Sequence, residues 1–234
     1  MIYDHTSKPY HTRWKLSGEN KYNGAYYYSK EIVKNIIPKI KTNRSWVTVN
    51  TYPLCEDKSI VFIHDNIDIK QYDWLKKYKD LILICGIKST CEKVKHLGTP
   101  IYLPLSVDIK EVEKYKVKKK TKKIAYIGRK EKITNKLPKD IDYISNLSRE
   151  EFLSEIAKYK SVYAVGRCAI EAKILGCEIL PYDDRFKDPS IWEILDNKDV
   201  IKILQSGLDK IDNKKKDKSE IKNELNNKIE DKNV

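Results

Sequence analysis

The sequence predicts an α/β protein with parallel β-sheets, and three features of the chain support this class. Short apolar segments rich in β-branched residues recur along it, which is typical of buried strands. Between them lie segments whose apolar residues have helical spacing. The apolar segments are continuously hydrophobic, as expected for strands that helices cover on both faces. Strands that alternate with helices in this way form parallel sheets through right-handed crossovers.

The predicted elements follow one another in a regular order. Seven segments are predicted to be strands: Trp46–Asn50, Ser59–His64, Leu81–Cys85, Lys123–Gly128, Ile141–Ile144, Ser161–Val165 and Glu178–Pro181. Five other segments are predicted to be helices: Tyr27–Ile40, Ile69–Tyr78, Thr90–Leu97, Arg149–Tyr159 and Ala169–Leu175. This order indicates two small Rossmann-like domains that face a cleft.

One charged segment interrupts the alternation and suggests the domain boundary. Residues 110–123 are too highly charged to bury, so they predict a basic linker between an N-terminal domain, residues 1–109, and a C-terminal domain, residues 124–205. A surface helix within one larger sheet would produce the same pattern. Residues 206–234 are rich in Lys, Asp, Glu and Asn, which fits a solvated helix, a frayed tail or a segment that crosses back onto the first domain.

Composition limits the classes of protein that the chain can belong to. With 234 residues, 40% of them hydrophobic, it can bury a real core. The net charge of +13 would attract phosphates, nucleic acid or anionic membrane surfaces, but we interpret it chiefly as a broadly solvated surface. The five cysteines show no Cys-x-x-Cys spacing and are expected to be free thiols. No signal peptide and no run of about 18 apolar residues is seen, so we expect a cytoplasmic protein without a membrane span.

The segment from Val165 to Pro181 combines a strand end, a glycine turn, a short helix with one acid, and a second glycine turn. Gly166 would let the backbone approach a ligand closely at the helix start, where unpaired N–H groups favour an anion such as a diphosphate. Glu171 lies about one and a half turns further on, where it could accept hydrogen bonds from ribose hydroxyls. A helix start with an exposed glutamate would show the same pattern.

This segment resembles the donor-binding stretch of the group 1 glycosyltransferases of the GT-B fold, where a glutamate followed by alanine precedes a glycine turn and a strand. Residues 126–132 resemble the Gly-Arg…Lys signature of that family, whose two cations bind the donor diphosphate. The resemblance implies a donor site made of Gly128, Arg129, Lys132, Gly166, Arg167 and Glu171. Fixed cations would stabilise the departing diphosphate, so the site needs no metal and no cofactor beyond its substrate, most simply a UDP-sugar.

The first half of the chain resembles the acceptor-side domain of the same family. Residues 23–27, followed by a predicted helix, resemble its glycine loop and imply an acceptor-side loop of Asn23, Gly24 and Tyr26. Residues 62–65 resemble a strand that ends at the cleft between the domains. The residues at that end, His64 and Asp65, are candidates for the base that takes the acceptor proton if the enzyme inverts configuration. A structural role for both is the alternative.

The resemblance implies an enzyme that moves a sugar from a nucleotide-diphosphate sugar to a hydroxyl acceptor. The chain departs from the family at Tyr163, where retaining members carry a glutamate eight positions before the donor glutamate. A longer glycine loop is compressed into Gly166 and Arg167, so Arg167 would add a third cation. A catalytically silent nucleotide- or nucleic-acid-binding protein with the same fold stays open, as does another GT-B enzyme such as a sugar-nucleotide epimerase.

The sequence does not name the acceptor. Virus-encoded DNA glucosyltransferases share the GT-B fold, so modified DNA in a phage is one candidate, and lysine contacts to phosphates would supply affinity that does not depend on sequence. The donor sugar, the nucleotide base, the stereochemical outcome and the oligomeric state are also open.

Overall fold

The β-branched segments form two four-stranded sheets in which the strands run parallel. The structure is a computed structural model that describes residues 31–47, 55–63, 69–128, 137–182 and 184–230. The first sheet has the order β1-β2-β3-β4, with β1 at Trp46–Val47, β2 at Ile60–Ile63, β3 at Ile82–Cys85 and β4 at Thr99–Tyr102. The second has the order β6-β5-β7-β8, with β5 at Lys122–Ile127, β6 at Asp142–Ile144, β7 at Tyr159–Tyr163 and β8 at Glu178–Leu180. The predicted α/β class is confirmed.

Five α-helices accompany these strands in the described parts of the chain. They are α1 at Lys88–Val94, α2 at Ile109–Glu113, α3 at Arg149–Ile156, α4 at Arg167–Ile174 and α5 at Asn197–Glu230. Shorter 3₁₀ turns lie at Asp184–Phe186 and Pro189–Ile191. None of the helices in these ranges is both long enough and apolar enough to cross a lipid bilayer.

Two of the predicted helices are not α-helices where the structure describes them. The first is a π-helix at Ile32–Ile36 that continues as a 3₁₀ turn at Ile37–Lys39. Pro38 explains the change, because proline has no N–H for the α-helical bond and its ring clashes with the preceding turn. The second, at Ile69–Lys77, is entirely 3₁₀.

Strand β4 was not among the predicted strands, because Thr99–Tyr102 contains Pro100 and only one fully buried residue. In the structure, β4 lies at the edge of the first sheet and pairs with β3 alone. A proline is tolerated on an edge strand since one side of the strand makes no ladder bonds.

The residues directly before α3 and α4 determine where these two helices begin. The Ser148 hydroxyl accepts a hydrogen bond from the Glu151 N–H at 3.3 Å, and the Glu151 carboxylate accepts one from the Ser148 N–H at 2.9 Å. This reciprocal capping box fixes the start of α3. Helix α4 begins at Arg167, two residues before its predicted start, because Gly166 supplies the turn.

Helix α5 returns from the second sheet to cover the first. Its Val200, Leu204 and Leu208 are fully buried with Ile36 and Phe62 in the core on one face of the first sheet. Polar contacts reinforce this packing, since Arg44 donates to the Asp212 carboxylate at 2.8 Å. The start of the segment predicted as a tail, residues 206–212, therefore packs on the first sheet.

The two chain segments that join the sheets touch each other. A parallel bridge pairs Val107 with Asp196, and the Val107 N–H donates to the Leu195 carbonyl at 3.2 Å. The outgoing and returning segments thus form a short two-stranded connection. The predicted limits of the two domains and the linker remain predictions.

Candidate functional site

The chain path reverses direction within the second sheet, between β5 and β7. After β5 the chain moves to β6 on one side, and after β7 it moves to β8 on the other side. The two neighbouring strands are thus followed by strands on opposite sides of the sheet, and this arrangement is expected to leave a crevice at the carboxyl edge between β5 and β7. Open α/β sheets bind their ligands at such a crevice.

Glycines follow both strands at this crevice. Gly128 comes directly after β5 with a φ of 140°, and Gly166 follows β7 with a φ of 64°. Residues with side chains rarely adopt either conformation. A Cβ added to Gly166 would meet only Leu105 Cδ1, at 4.0 Å, so backbone conformation rather than crowding requires glycine there. Gly166 is also the N-cap of α4, and it has no side chain that could cap the first N–H groups of the helix.

A cavity of about 200 Å³ lies beside Gly166, between the two sheets. Phe62 and Ile84, near the carboxyl ends of β2 and β3, form one wall. Gly166, Phe186 and Trp192 line the side that belongs to the second sheet and the returning segment. The carboxyl ends of strands from both sheets therefore meet at one mostly apolar cavity.

The aromatic wall of this cavity is fixed by a lysine of α4. Lys173 Nζ donates to the carbonyls of Pro189 at 2.7 Å and Trp192 at 2.8 Å. Burial lowers the pKa of Lys173, since the charged form is desolvated there. The rings of Phe186 and Trp192 lie 5.2 Å apart. The wall is consequently tied to the same helix that begins at the Gly166 turn.

Glu171, on α4, lies in a buried ion-pair network. Its side chain is fully buried, and its Oε1 accepts hydrogen bonds from Arg149 Nη1 at 2.7 Å and from Arg167 Nε at 2.9 Å. Arg149 is 9% exposed and Arg167 is 4% exposed. Charged groups with so little exposure require partners, because transfer out of water is costly unless they are paired.

The network extends from α4 to three other parts of the chain. Arg167 Nη2 donates to Glu31 Oε2 at 2.7 Å, and the Asn197 amide donates to the other oxygen of Glu31. Arg149 Nε donates to Glu111 Oε1 at 3.2 Å. Glu31, in the segment before the first sheet, therefore contacts α4 directly through Arg167. Helix α2 joins the network through Arg149 of α3, and the start of α5 joins it through Glu31.

These contacts bear on the predicted roles of Glu171 and Arg167. Both side chains lie in the interior and are held by each other, by Arg149 and by Glu31. In the described residues of this cluster, the carboxylates of Glu31, Glu111 and Glu171 pair with two guanidinium groups. Positive charge for a bound diphosphate would therefore have to come chiefly from other cations, and the backbone N–H groups at Gly166 would act beside them.

The remaining predicted site residues lie outside the described ranges. They are Asn23, Gly24, Tyr26, His64, Asp65, Arg129 and Lys132. The flanking residues Ile63 and Gly128 are described: Ile63 lines the cavity and Gly128 stands at the crevice. The roles assigned to the seven residues stay predictions.

Comparison with models of protein families, with curated proteins and with solved structures finds no match for this chain.

The buried partners of Glu171 were not predicted from the sequence. Arg149 follows the helix-capping serine and precedes two glutamates, a pattern that fits an exposed helix start. Glu31 pairs with a residue 136 positions away, which no local pattern can reveal. In the described parts of the chain, no three His, Cys, Asp or Glu side chains lie together in a way that could hold a metal ion.

Proposed function

We propose that the protein transfers a sugar from a nucleotide-diphosphate sugar to a hydroxyl acceptor, and that the donor binds at the crevice between β5 and β7. The observation that carries the proposal is the pair of glycines, Gly128 and Gly166, at the two strand ends where the chain path diverges. Both glycines stand at the carboxyl edge, where α/β sheets bind ligands, and one of them starts a helix.

The chemistry of the donor fits the groups near this crevice. Negative charge grows on the departing diphosphate in the transition state, so a helix N-terminus and fixed cations lower the barrier. In the proposal the diphosphate lies against the N–H groups after Gly166, and the cations are Arg129, through its planar fork, and Lys132. The aromatic cavity wall of Phe186 and Trp192 would receive a flat ring of the donor.

Glu171 has a supporting role in this proposal. It is buried in the middle of α4 and accepts hydrogen bonds of 2.7 and 2.9 Å from Arg149 and Arg167, the first residue of the helix. Its loss would disturb the helix that presents the N–H groups to the diphosphate. His64 or Asp65 would take the proton of the acceptor hydroxyl.

Calorimetric titration with UDP and a panel of nucleotide sugars tests the binding step. We expect Arg129→Ala and Lys132→Ala to weaken UDP binding by roughly ten- to a hundredfold each, since a charge-assisted hydrogen bond contributes about 1.5–3 kcal/mol. Lys130→Ala is the matched control, because it removes a neighbouring charge that the proposal does not assign to the donor. The proposal is wrong if no nucleotide or nucleotide sugar binds, or if Lys130→Ala weakens binding as much as the other two substitutions.

Turnover tests the transfer step separately. Chromatographic detection of released UDP from a UDP-sugar should show hydrolysis or transfer by the native chain. Substitution His64→Ala or Asp65→Ala should lower the rate while leaving the affinity for UDP within about twofold, because a base acts on the acceptor and does not touch the diphosphate.

A catalytically silent nucleotide- or nucleic-acid-binding protein is the second candidate function. It is favoured by Tyr163, which stands where retaining members of the resembled family carry an acid. Its ring packs edge-on against Tyr182, with centroids 6.3 Å apart, and so fills that position with apolar contacts. Tight binding of UDP without any release of sugar from the whole donor panel would favour this second function over the first.

A further inference from the structure

Almost half of the excess positive charge of the chain lies in one short segment. Residues 110–123 contain eight lysines and two glutamates, which accounts for six of the thirteen net positive charges. The segment leads from α2 into β5. It therefore ends at the amino edge of the second sheet, which is the edge opposite the cavity and the Gly166 turn.

Several lysines at this edge have structural partners. Lys120 Nζ donates to the carbonyls of Ala157 at 2.8 Å and Leu175 at 2.6 Å, which lie at the ends of α3 and α4. Lys122 and Lys158 both pair with Glu155. These lysines stabilise the fold by satisfying helix carbonyls and carboxylates.

Four other lysines at the same edge are exposed and have no ion-pair partner within the described ranges: Lys118, Lys119, Lys123 and Lys160. We call them the amino-edge lysines. The nearby acids Asp142 and Glu178 accept hydrogen bonds from the hydroxyls of Tyr159 at 2.7 Å and Ser161 at 2.8 Å, and neither forms an ion pair with an amino-edge lysine. The surface keeps a net positive charge, because lysines outnumber acids at this edge.

The strand register brings two of these lysines together. Lys122 pairs with Tyr159 and Ile124 pairs with Ser161, so Lys123 and Lys160 lie side by side on neighbouring parallel strands. Like charges at neighbouring positions of a sheet are destabilising. A polyanion that binds this edge would offset the repulsion between the two lysines. Their side-by-side placement does not itself stabilise the fold.

We propose that the amino-edge lysines bind the phosphate backbone of a nucleic acid. A nucleic acid presents a line of regularly spaced phosphates that several lysines can contact at once. A membrane surface is a poorer fit, because amphipathic membrane contacts combine lysines with inserted apolar side chains. Val117 is the only large apolar side chain that is exposed in residues 110–123. The inference does not depend on the proposed transferase activity, since this edge lies at the other end of the sheet.

Fluorescence anisotropy with a labelled 20-base-pair DNA duplex, repeated over a series of salt concentrations, tests the proposal. The quadruple variant Lys118→Ser, Lys119→Ser, Lys123→Ser and Lys160→Ser should bind at least roughly tenfold more weakly at low salt. Its slope of log K against log salt should be shallower by about 3–4, because each lost phosphate contact contributes about 0.9.

A second quadruple variant serves as the matched control: Lys34→Ser, Lys39→Ser, Lys93→Ser and Lys198→Ser. It removes the same number of exposed lysines from elsewhere on the described surface. We expect its affinity and salt slope to stay near those of the native chain.

Three outcomes would overturn the proposal. The first is that the native chain binds no DNA or RNA duplex at low salt, and the second is that the two variants lose affinity equally. The third is that substitution of the amino-edge lysines weakens binding only to vesicles that contain anionic lipid. Circular dichroism and the thermal midpoint of each variant show that any lost binding is not lost folding.

Discussion

Substitution of Glu171 by methionine is the sharpest structural test of the buried network. The change keeps the length of the side chain but removes the acceptor of Arg149 Nη1 and Arg167 Nε. Both guanidinium groups are at least nine-tenths buried, so water cannot replace the lost carboxylate without rearrangement. Breaking a buried ion pair by removing one partner costs about 3–5 kcal/mol. For a chain of this size we expect the thermal midpoint to fall by roughly 6–20 °C.

Urea unfolding followed by circular dichroism measures the loss, with the free energy extrapolated to zero denaturant. Glu92→Gln is the matched control, because it breaks the exposed pair with Lys95, whose side chains are 70% and 57% exposed. Such a surface pair contributes about 0–1 kcal/mol.

A double variant separates charge from packing in the same experiment. Combining Glu171→Met with Arg149→Met removes both members of the 2.7 Å pair, so no charge is stranded at that contact. We expect the double variant to lose less stability than the sum of the single variants, by about 0.5–3 kcal/mol. If Glu171→Met unfolds at the same urea concentration as Glu92→Gln, the network is not a buried ion pair that stabilises α4 and our reasoning about it fails.

Three further predictions follow from other contacts. Gly166→Ala should destabilise the protein by about 1–3 kcal/mol, since φ is 64° and ψ is −140° there, and should weaken UDP binding more than Gly176→Ala does in calorimetry, because Gly176 also has a positive φ but lies at the other end of α4. Lys120→Met should cost about 1–3 kcal/mol in urea unfolding, because it leaves the Ala157 and Leu175 carbonyls without their donor. Hydrogen bonds from Lys122 and Lys158 lower the pKa of Glu155, so its stabilising contribution is present above about pH 4.3 and is lost as the pH falls through its lower folded pKa. Glu155→Gln should therefore flatten the acid side of a stability-against-pH curve, and an unchanged acid side would contradict this assignment.

Most of the strands could be predicted from the sequence because their signal is local. Segments such as Ile60–Ile63 and Ile82–Cys85 are continuous β-branched or apolar runs, and each is buried on both faces as such a run requires. Strand β4 was not predicted, because Pro100 and two polar or exposed positions interrupt the apolar run that would indicate a strand. A strand with a proline is tolerated there because β4 lies at the edge of the sheet.

The site was only partly accessible from the sequence, since it depends on contacts between distant segments. The glycine at position 166 has a recognisable local pattern, and its positive φ of 64° is one that glycine adopts readily. No local pattern reveals the partners of Glu171. Arg149 is 22 positions away, and Glu31, which pairs with Arg167, comes from the opposite half of the chain. Arginine and glutamate are mostly exposed in proteins, so sequence reasoning assigns them to the surface unless the fold is known.

A crystal structure of the protein soaked with UDP tests the central proposal most directly. We expect the diphosphate to lie at the crevice between β5 and β7, within hydrogen-bonding distance of the N–H groups that follow Gly166 and of the Arg129 guanidinium. A nucleotide bound elsewhere on the molecule, or none at a concentration that saturates binding in solution, would contradict the proposal.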